Sequence, residues 1–152
     1  MKENHVAASS TRIAPPTPRP CLSCPYRRDA PSGVWAPEEY AKLPRYDAPT
    51  GEQPTAVFLC HHQDRNTPHP RVCGGWAACH DGEQLLALRI AVLAQTMTPE
   101  QAQAVRDYTS PVPLFASGRQ AAEHGLAEID HPGERARAAI TKLDRVRRDL
   151  QP

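Results

Sequence analysis

The sequence predicts a small, loop-rich α+β domain with few short strands, followed by α-helices. Three observations carry this. Proline occurs 17 times and phenylalanine twice in 152 residues. A chain so rich in a residue that breaks helices and cannot donate to strand ladders must be irregular over much of its length. All five cysteines fall between Cys21 and Cys79, among prolines and glycines. The longer stretches of apolar residues at helical spacing lie beyond about Trp76.

In order, residues 1–19 read as a disordered or extended arm. They are rich in Ser, Thr and Pro and cannot bury enough apolar surface to fold alone. Residues 20–96 form the cysteine-rich unit and 97–152 a helical extension. Within the first, Pro31-Ser32-Gly33 signals a turn with Trp35 behind it as an anchor. Ala36 to Leu43 predicts a short helix, with Pro37 in the first turn, Glu38 and Glu39 at its positive end and Pro44 as its stop. Thr55 to Cys60 is the best strand candidate, being short, β-branched and aromatic. Cys73-Gly74-Gly75-Trp76 predicts a tight turn. A main buried helix is expected from about Trp76 or Asp81 to Gln95, carrying Leu85, Leu86, Leu88, Ile90, Val92 and Leu93. Thr98-Pro99-Glu100-Gln101 has the form of a capping box and should open a helix to about Tyr108. A short helix over Ser117 to Glu123, ended by Gly125, and a last helix over about Pro132 to Leu150 complete the chain. That last helix places Ala136, Ile140, Leu143, Val146 and Leu150 on one stripe.

Compartment and charge narrow the function classes. Met1 to Pro20 contains no apolar run, so no signal peptide is expected. The longest apolar stretch, Leu85 to Ala94, is interrupted by Arg89 and too short to span a bilayer. A cytoplasmic protein without membrane contact is the expectation. Net charge is +1, with both ends basic and the middle acidic, which permits a nucleic-acid or protein partner without requiring one.

The cysteines carry the chemistry. In a reducing compartment their pattern points to metal or redox chemistry rather than structural disulfides. Cys21-x2-Cys24 lets two sulfurs from one turn reach one ion, and Cys60 and Cys73 would complete a tetrahedral zinc site. The domain would then be metal-stabilised, as a small core needs. His61, Cys79 and His80 are candidate substitutes or supporting groups. A [4Fe-4S] cluster also takes four thiolates, and Cys24-Pro25 suits one. Cys-x2-Cys-Pro-Tyr resembles the cluster-binding cysteines of some RecB-type nucleases, although no nuclease catalytic pattern accompanies it. A thioredoxin-like pair would want a helix opening at the cysteines, which Pro25 and the following loop fit poorly.

Cys21-x2-Cys24-Pro25-Tyr26-Arg27, Pro31-x-Gly33-x-Trp35, Phe58-x-Cys60-His61 and Cys73-x-Gly75-Trp76 together resemble a family of small uncharacterised four-cysteine proteins from actinobacteria, other bacteria and phages, classed as a domain of unknown function. The resemblance covers about residues 20–95. It implies metal ligation by Cys21, Cys24, Cys60 and Cys73 rather than Cys79, and no established activity.

Other residues are weighed against plain structural roles. Arg27 and Arg28 are candidates for nucleic-acid or anion contact, or for offsetting the charge of a four-thiolate site. Trp35 and Trp76 could stack on bases but better suit an apolar lid. Of His61, His62 and His69, His61 is the best candidate because it follows Cys60. No Ser/His/Asp order, phosphate loop or His-Glu-x2-His pattern is present, so nothing nominates an enzyme. A metal-dependent enzyme with an open coordination position is the third reading.

Overall fold

The computed structural model describes residues 12–61, 67–145, 147 and 150. Residues 1–11 of the expected arm, His62 and Val146 lie outside these. The described chain is helix and loop, so the α+β expectation is corrected. Among the described residues strand pairing is confined to three isolated bridges, Ala14 with Arg71, Arg27 with Leu114 and Leu59 with Val72. The six α-helices among the described residues are α1 (Pro37–Ala41), α2 (Gly74–Cys79), α3 (Leu86–Leu93), α4 (Pro99–Arg106), α5 (Gly118–Leu126) and α6 (Glu134–Leu143). Short 3-10 turns cover Leu43–Asp47, Thr50–Glu52 and Gly82–Gln84.

The strand expected over residues 55–60 reduces to one bridge because its partner is too short. Cys60 N–H donates to Arg71 O at 2.9 Å and Cys73 N–H to Phe58 O at 2.9 Å, on either side of the Leu59–Val72 bridge. Immediately afterwards the partner turns into α2, with Cys73 as its N-cap. Upstream, Ala56 O is taken by the Tyr46 hydroxyl at 2.6 Å instead of a neighbouring strand.

Gly74 and Gly75 are therefore the first turn of a helix, not a free-standing turn. The long helix expected to Gln95 is broken in two. Asp81 accepts from Glu83 N–H and starts the 3-10 turn instead. A Cβ on Gly82 would meet Arg106 Cα of α4 at 2.8 Å, so the break lets the two elements approach closely. Leu85, Leu88 and Ala91 are buried, while Leu93 is 80% exposed, so the apolar face of α3 is narrower than its composition implies. Gln95 ends α3 in the left-handed region at φ 63°, with Thr96 N–H donating to Ala91 O at 3.0 Å.

Other helices start near where the sequence places them, but α5 runs past its expected stop to Leu126 and α6 ends at Leu143 rather than about Leu150. Pro37 opens α1, although Pro44 sits inside the next 3-10 turn rather than ending structure. Thr98 and Gln101 form the complete capping box of α4. Ser117 caps α5 through Gln120 N–H, and Asp47 reaches the same helix end, accepting from the N–H groups of Gly118 and Arg119 at 2.8 Å each. Gly125 lies inside α5, where the Tyr40 ring occupies the space a Cβ would need, at 2.1 Å. The Pro31-Ser32-Gly33 turn forms with Gly33 at φ 81°, and Gly33 N–H donates to Gly125 O at 2.9 Å. In α6, Ala136 and Leu143 are buried.

One hydrophobic core runs from Cys24 to Leu150, with Trp35, Tyr26, Trp76, Tyr40 and Leu43 at its centre. Buried residues on both sides of position 96 join it. Helix α5 packs on α1 and the Leu43–Asp47 turn, and α4 packs on α3 and α2. Residues 13–18 are laid along this body. Ile13 N–H donates to Thr96 O, Ala14 N–H to Pro70 O and the Tyr108 hydroxyl to Pro18 O.

Candidate metal centre

The fold brings together the four cysteines singled out by their spacing. Cys21 and Cys24 come from one turn, in which Cys24 N–H donates to Cys21 O at 3.0 Å and Arg27 N–H to Cys24 O at 3.0 Å. That turn is held from outside by the Trp35 indole, whose Nε1–H donates to Ser23 O at 2.9 Å. The short bridge delivers Cys60 and Cys73 from facing segments.

The thiols meet as two pairs. Cys24 Sγ and Cys73 Sγ stand 3.6 Å apart and share a hydrogen, and Cys21 is hydrogen-bonded to Cys60. The pairs also sense each other. The hydrogen bond to Cys60, burial, and the charges of Cys24 and Cys60 push the Cys21 thiol up. The hydrogen bond to Cys24 and burial do the same to Cys73. Cys24 is pulled down. Burial opposes this, but the hydrogen bond from Cys73 and the N–H dipoles of Tyr26 and Gly75 outweigh it. Of the two, Cys24 is the sulfur whose surroundings favour the charged form, and Cys73 the one whose surroundings oppose it. The N–H dipoles of Ser23 and Trp76 likewise favour charge on Cys21 and Cys73, although Cys73, at the N-cap of α2, makes no full capping hydrogen bond. Among the described residues no group of three or more His, Cys, Asp or Glu side chains is arranged to hold a metal ion. The sulfurs are gathered in pairs and not closed into a ligand shell.

Gly75 explains how helix and cysteine turn approach so closely. A Cβ there would lie 2.4 Å from Cys24 Sγ and 2.6 Å from Tyr26 Cβ, which no side chain can accept.

The remaining candidates separate. Cys79 donates to Phe115 O at 3.4 Å, and burial pushes its thiol up to about 12, so it is a packed thiol. His61 is buried and fully engaged, with Nδ1 at 2.9 Å from Leu59 O and Nε2 at 2.8 Å from Glu39 Oε1. Both partners are acceptors, and both bonds form together only when the ring carries two N–H groups; neither nitrogen is left for a metal. His80 contacts the Tyr26 hydroxyl through Nε2 at 3.2 Å. Burial lowers its pKa against the raising influence of Asp47, 3.7 Å from Nδ1. His69 is exposed, its N–H facing the Thr67 hydroxyl at 3.5 Å.

Arg27 is no free anion contact. It is buried, bonds both Asp29 oxygens at 2.8 Å and donates to Pro20 O at 2.9 Å, clamping the chain ahead of Cys21. Arg28 is exposed, and its backbone N–H donates to Pro113 O. Trp35 and Trp76 are wholly buried, which removes them as stacking platforms. Trp76 Nε1 finds no acceptor among the described residues.

The chain belongs to DUF6283, a family of unknown function, which matches residues 16–147. The DUF6283 match takes in both the cysteine turn and the helices beyond residue 97. No curated protein and no solved structure matches the chain. Among the described residues no helix is long and apolar enough to cross a membrane.

Sequence reasoning missed Tyr40, Asp47 and the cluster of Lys42 and Arg45 near Cys60. Tyr40 accepts from the N–H groups of Val34 and Trp35 at 3.0 and 3.2 Å, and Asp47 caps α5 across a gap of 71 residues. No local pattern announces either contact.

Proposed function

We propose that this DUF6283 protein binds a single metal ion, zinc, through Cys21, Cys24, Cys60 and Cys73, and that the ion staples a cytoplasmic interaction or regulatory module. The observation that carries the reading is the Cys24–Cys73 separation of 3.6 Å. Two sulfurs each about 2.3 Å from a tetrahedral ion stand about 3.8 Å apart. That pair already has the spacing of two ligands of one ion, and Cys21 and Cys60 would supply the other two. In a cubane cluster each cysteine takes a different iron, which would spread the sulfurs, so the single ion is the better fit to this pair. N–H dipoles aimed at the sulfurs are the outer support that metal-bound thiolates use.

The test is metal analysis with a visible spectrum on protein purified without oxygen. The expected result is a colourless protein carrying one equivalent of zinc. A brown protein absorbing near about 400 nm would replace zinc by an iron–sulfur redox or sensor centre. Metal retained with only three cysteines bound would favour an enzyme with an open coordination position. Cys24→Ser should lose the metal and several kcal/mol of stability, on the order of the folding energy of structural zinc sites; unchanged metal content and melting temperature would sink the proposal. The module's partner is a nucleic acid or a protein. Binding to DNA or RNA is tested at low salt, where phosphate contacts are strongest, and its absence there leaves a protein partner.

A further inference from the structure

We propose that the cavity beside Cys60 binds a small organic anion with an apolar or aromatic body. The cavity measures about 360 Å³, within the usual range for small-molecule sites. It is lined by the apolar residues Val57, Phe58 and Leu150 with Tyr46, and by Lys42, Arg45 and Arg147. The Tyr46 hydroxyl is spent on Ala56 O.

Glu39, the one carboxylate lining this site among the described residues, is already occupied. It takes Lys42 Nζ at 2.9 and 3.0 Å and His61 Nε2 at 2.8 Å. Arg45 is exposed and has no carboxylate within salt-bridge distance among the described residues, so an entering anion meets a guanidinium with its donor fork available. Lys42 is held by Glu39, so among the described residues the Arg45 guanidinium is the cation this apolar pocket offers to a ligand. A polyanion lying on a flat surface needs no such recess. A carboxylate or sulfonate on a ring or short chain uses both the recess and the guanidinium.

The inference does not depend on the metal. A competing role for the same cations is to offset charge on the neighbouring thiolates, and the experiment separates the two. Anilinonaphthalene sulfonate, which fluoresces on leaving water, is titrated into the full chain at low salt, with octanoate as competitor. The expected result is saturable one-to-one binding displaced by octanoate. Arg45→Glu should weaken it at least about tenfold, as for loss of one charge-assisted hydrogen bond, with circular dichroism, melting temperature and metal content unchanged. Val57→Trp, which fills the recess from a second side, should also abolish binding. The uncharged phenylnaphthylamine should bind at least about tenfold more weakly. Equal binding by Arg45→Glu, or equal binding of the uncharged probe, would overturn the proposal. Loss of metal with probe binding intact would assign the cations to the thiolates instead.

Discussion

At the scale of single residues, Gly75 sets how closely α2 can approach the cysteine turn. Its missing side chain leaves room for Cys24 Sγ and Tyr26 Cβ. Gly75→Ala should destabilise the protein by about 2–3 kcal/mol in urea unfolding, the scale of overpacking in a tight core. Gly51→Ala, where nothing lies within 4 Å of the new Cβ, should change stability by less than about 0.5 kcal/mol. Glu39 makes a second residue-scale prediction. Burial raises its pKa, but the hydrogen bonds from His61 and Lys42 outweigh burial and hold it below its ordinary value of 4.5. A depressed folded pKa means the stabilisation is complete at neutral pH and is lost as pH falls below the ordinary value through the folded one. Glu39→Gln should lower stability at neutral pH and flatten the acid limb of the stability–pH curve; an unchanged acid limb would show that Glu39 is not responsible.

At the scale of elements, helix ends were the most legible feature because their signals are local. The Thr98 capping box needs only the four residues Thr98 to Gln101 and forms as written. Thr98→Ala should cost about 1 kcal/mol, read from the shift in thermal unfolding. At the other end of the preceding helix, Gln95 holds a left-handed φ of 63°, a conformation that strains any residue with a Cβ. Gln95→Gly should therefore raise stability by about 0.5–1 kcal/mol, the gain from relieving that strain less the entropy that glycine adds to the unfolded chain. What the sequence hid at this scale was continuity. The pattern from Trp76 to Gln95 reads as one helix, yet Asp81 finds Glu83 N–H and Gly82 packs against Arg106, and the helix breaks where the tertiary contact is made. The Thr55–Cys60 segment has the composition of a strand but pairs across one bridge only, since its partner starts a helix at Cys73.

At the scale of the molecule, one core links the cysteine turn to the helices beyond residue 97. Leu150 O accepts from Ala36 N–H at 2.7 Å, and α5 covers α1 and the turn that follows it. A fragment ending at residue 96 should lack a cooperative unfolding transition, because it would expose Tyr40 and Leu43 to water. A sharp transition in that fragment by circular dichroism would show that the helices are an addition and not part of the core.

The sequence by itself nominated four cysteines and determined the caps at Thr98 and Ser117 and the turn at Gly33. These depend on short spacings and on backbone conformations that few residues adopt. Only the tertiary structure decided what lies between. It paired Cys24 with Cys73 and Cys21 with Cys60, tied both nitrogens of His61 to acceptors, buried Arg27 against Asp29, and placed Lys42 and Arg45 around a recess beside Cys60. The reason is physical. A spacing of two residues lets two sulfurs of one turn reach one ion, but whether a charged side chain meets water, a carboxylate or a carbonyl depends on residues brought from elsewhere in the chain by the burial of Trp35, Tyr40 and Trp76.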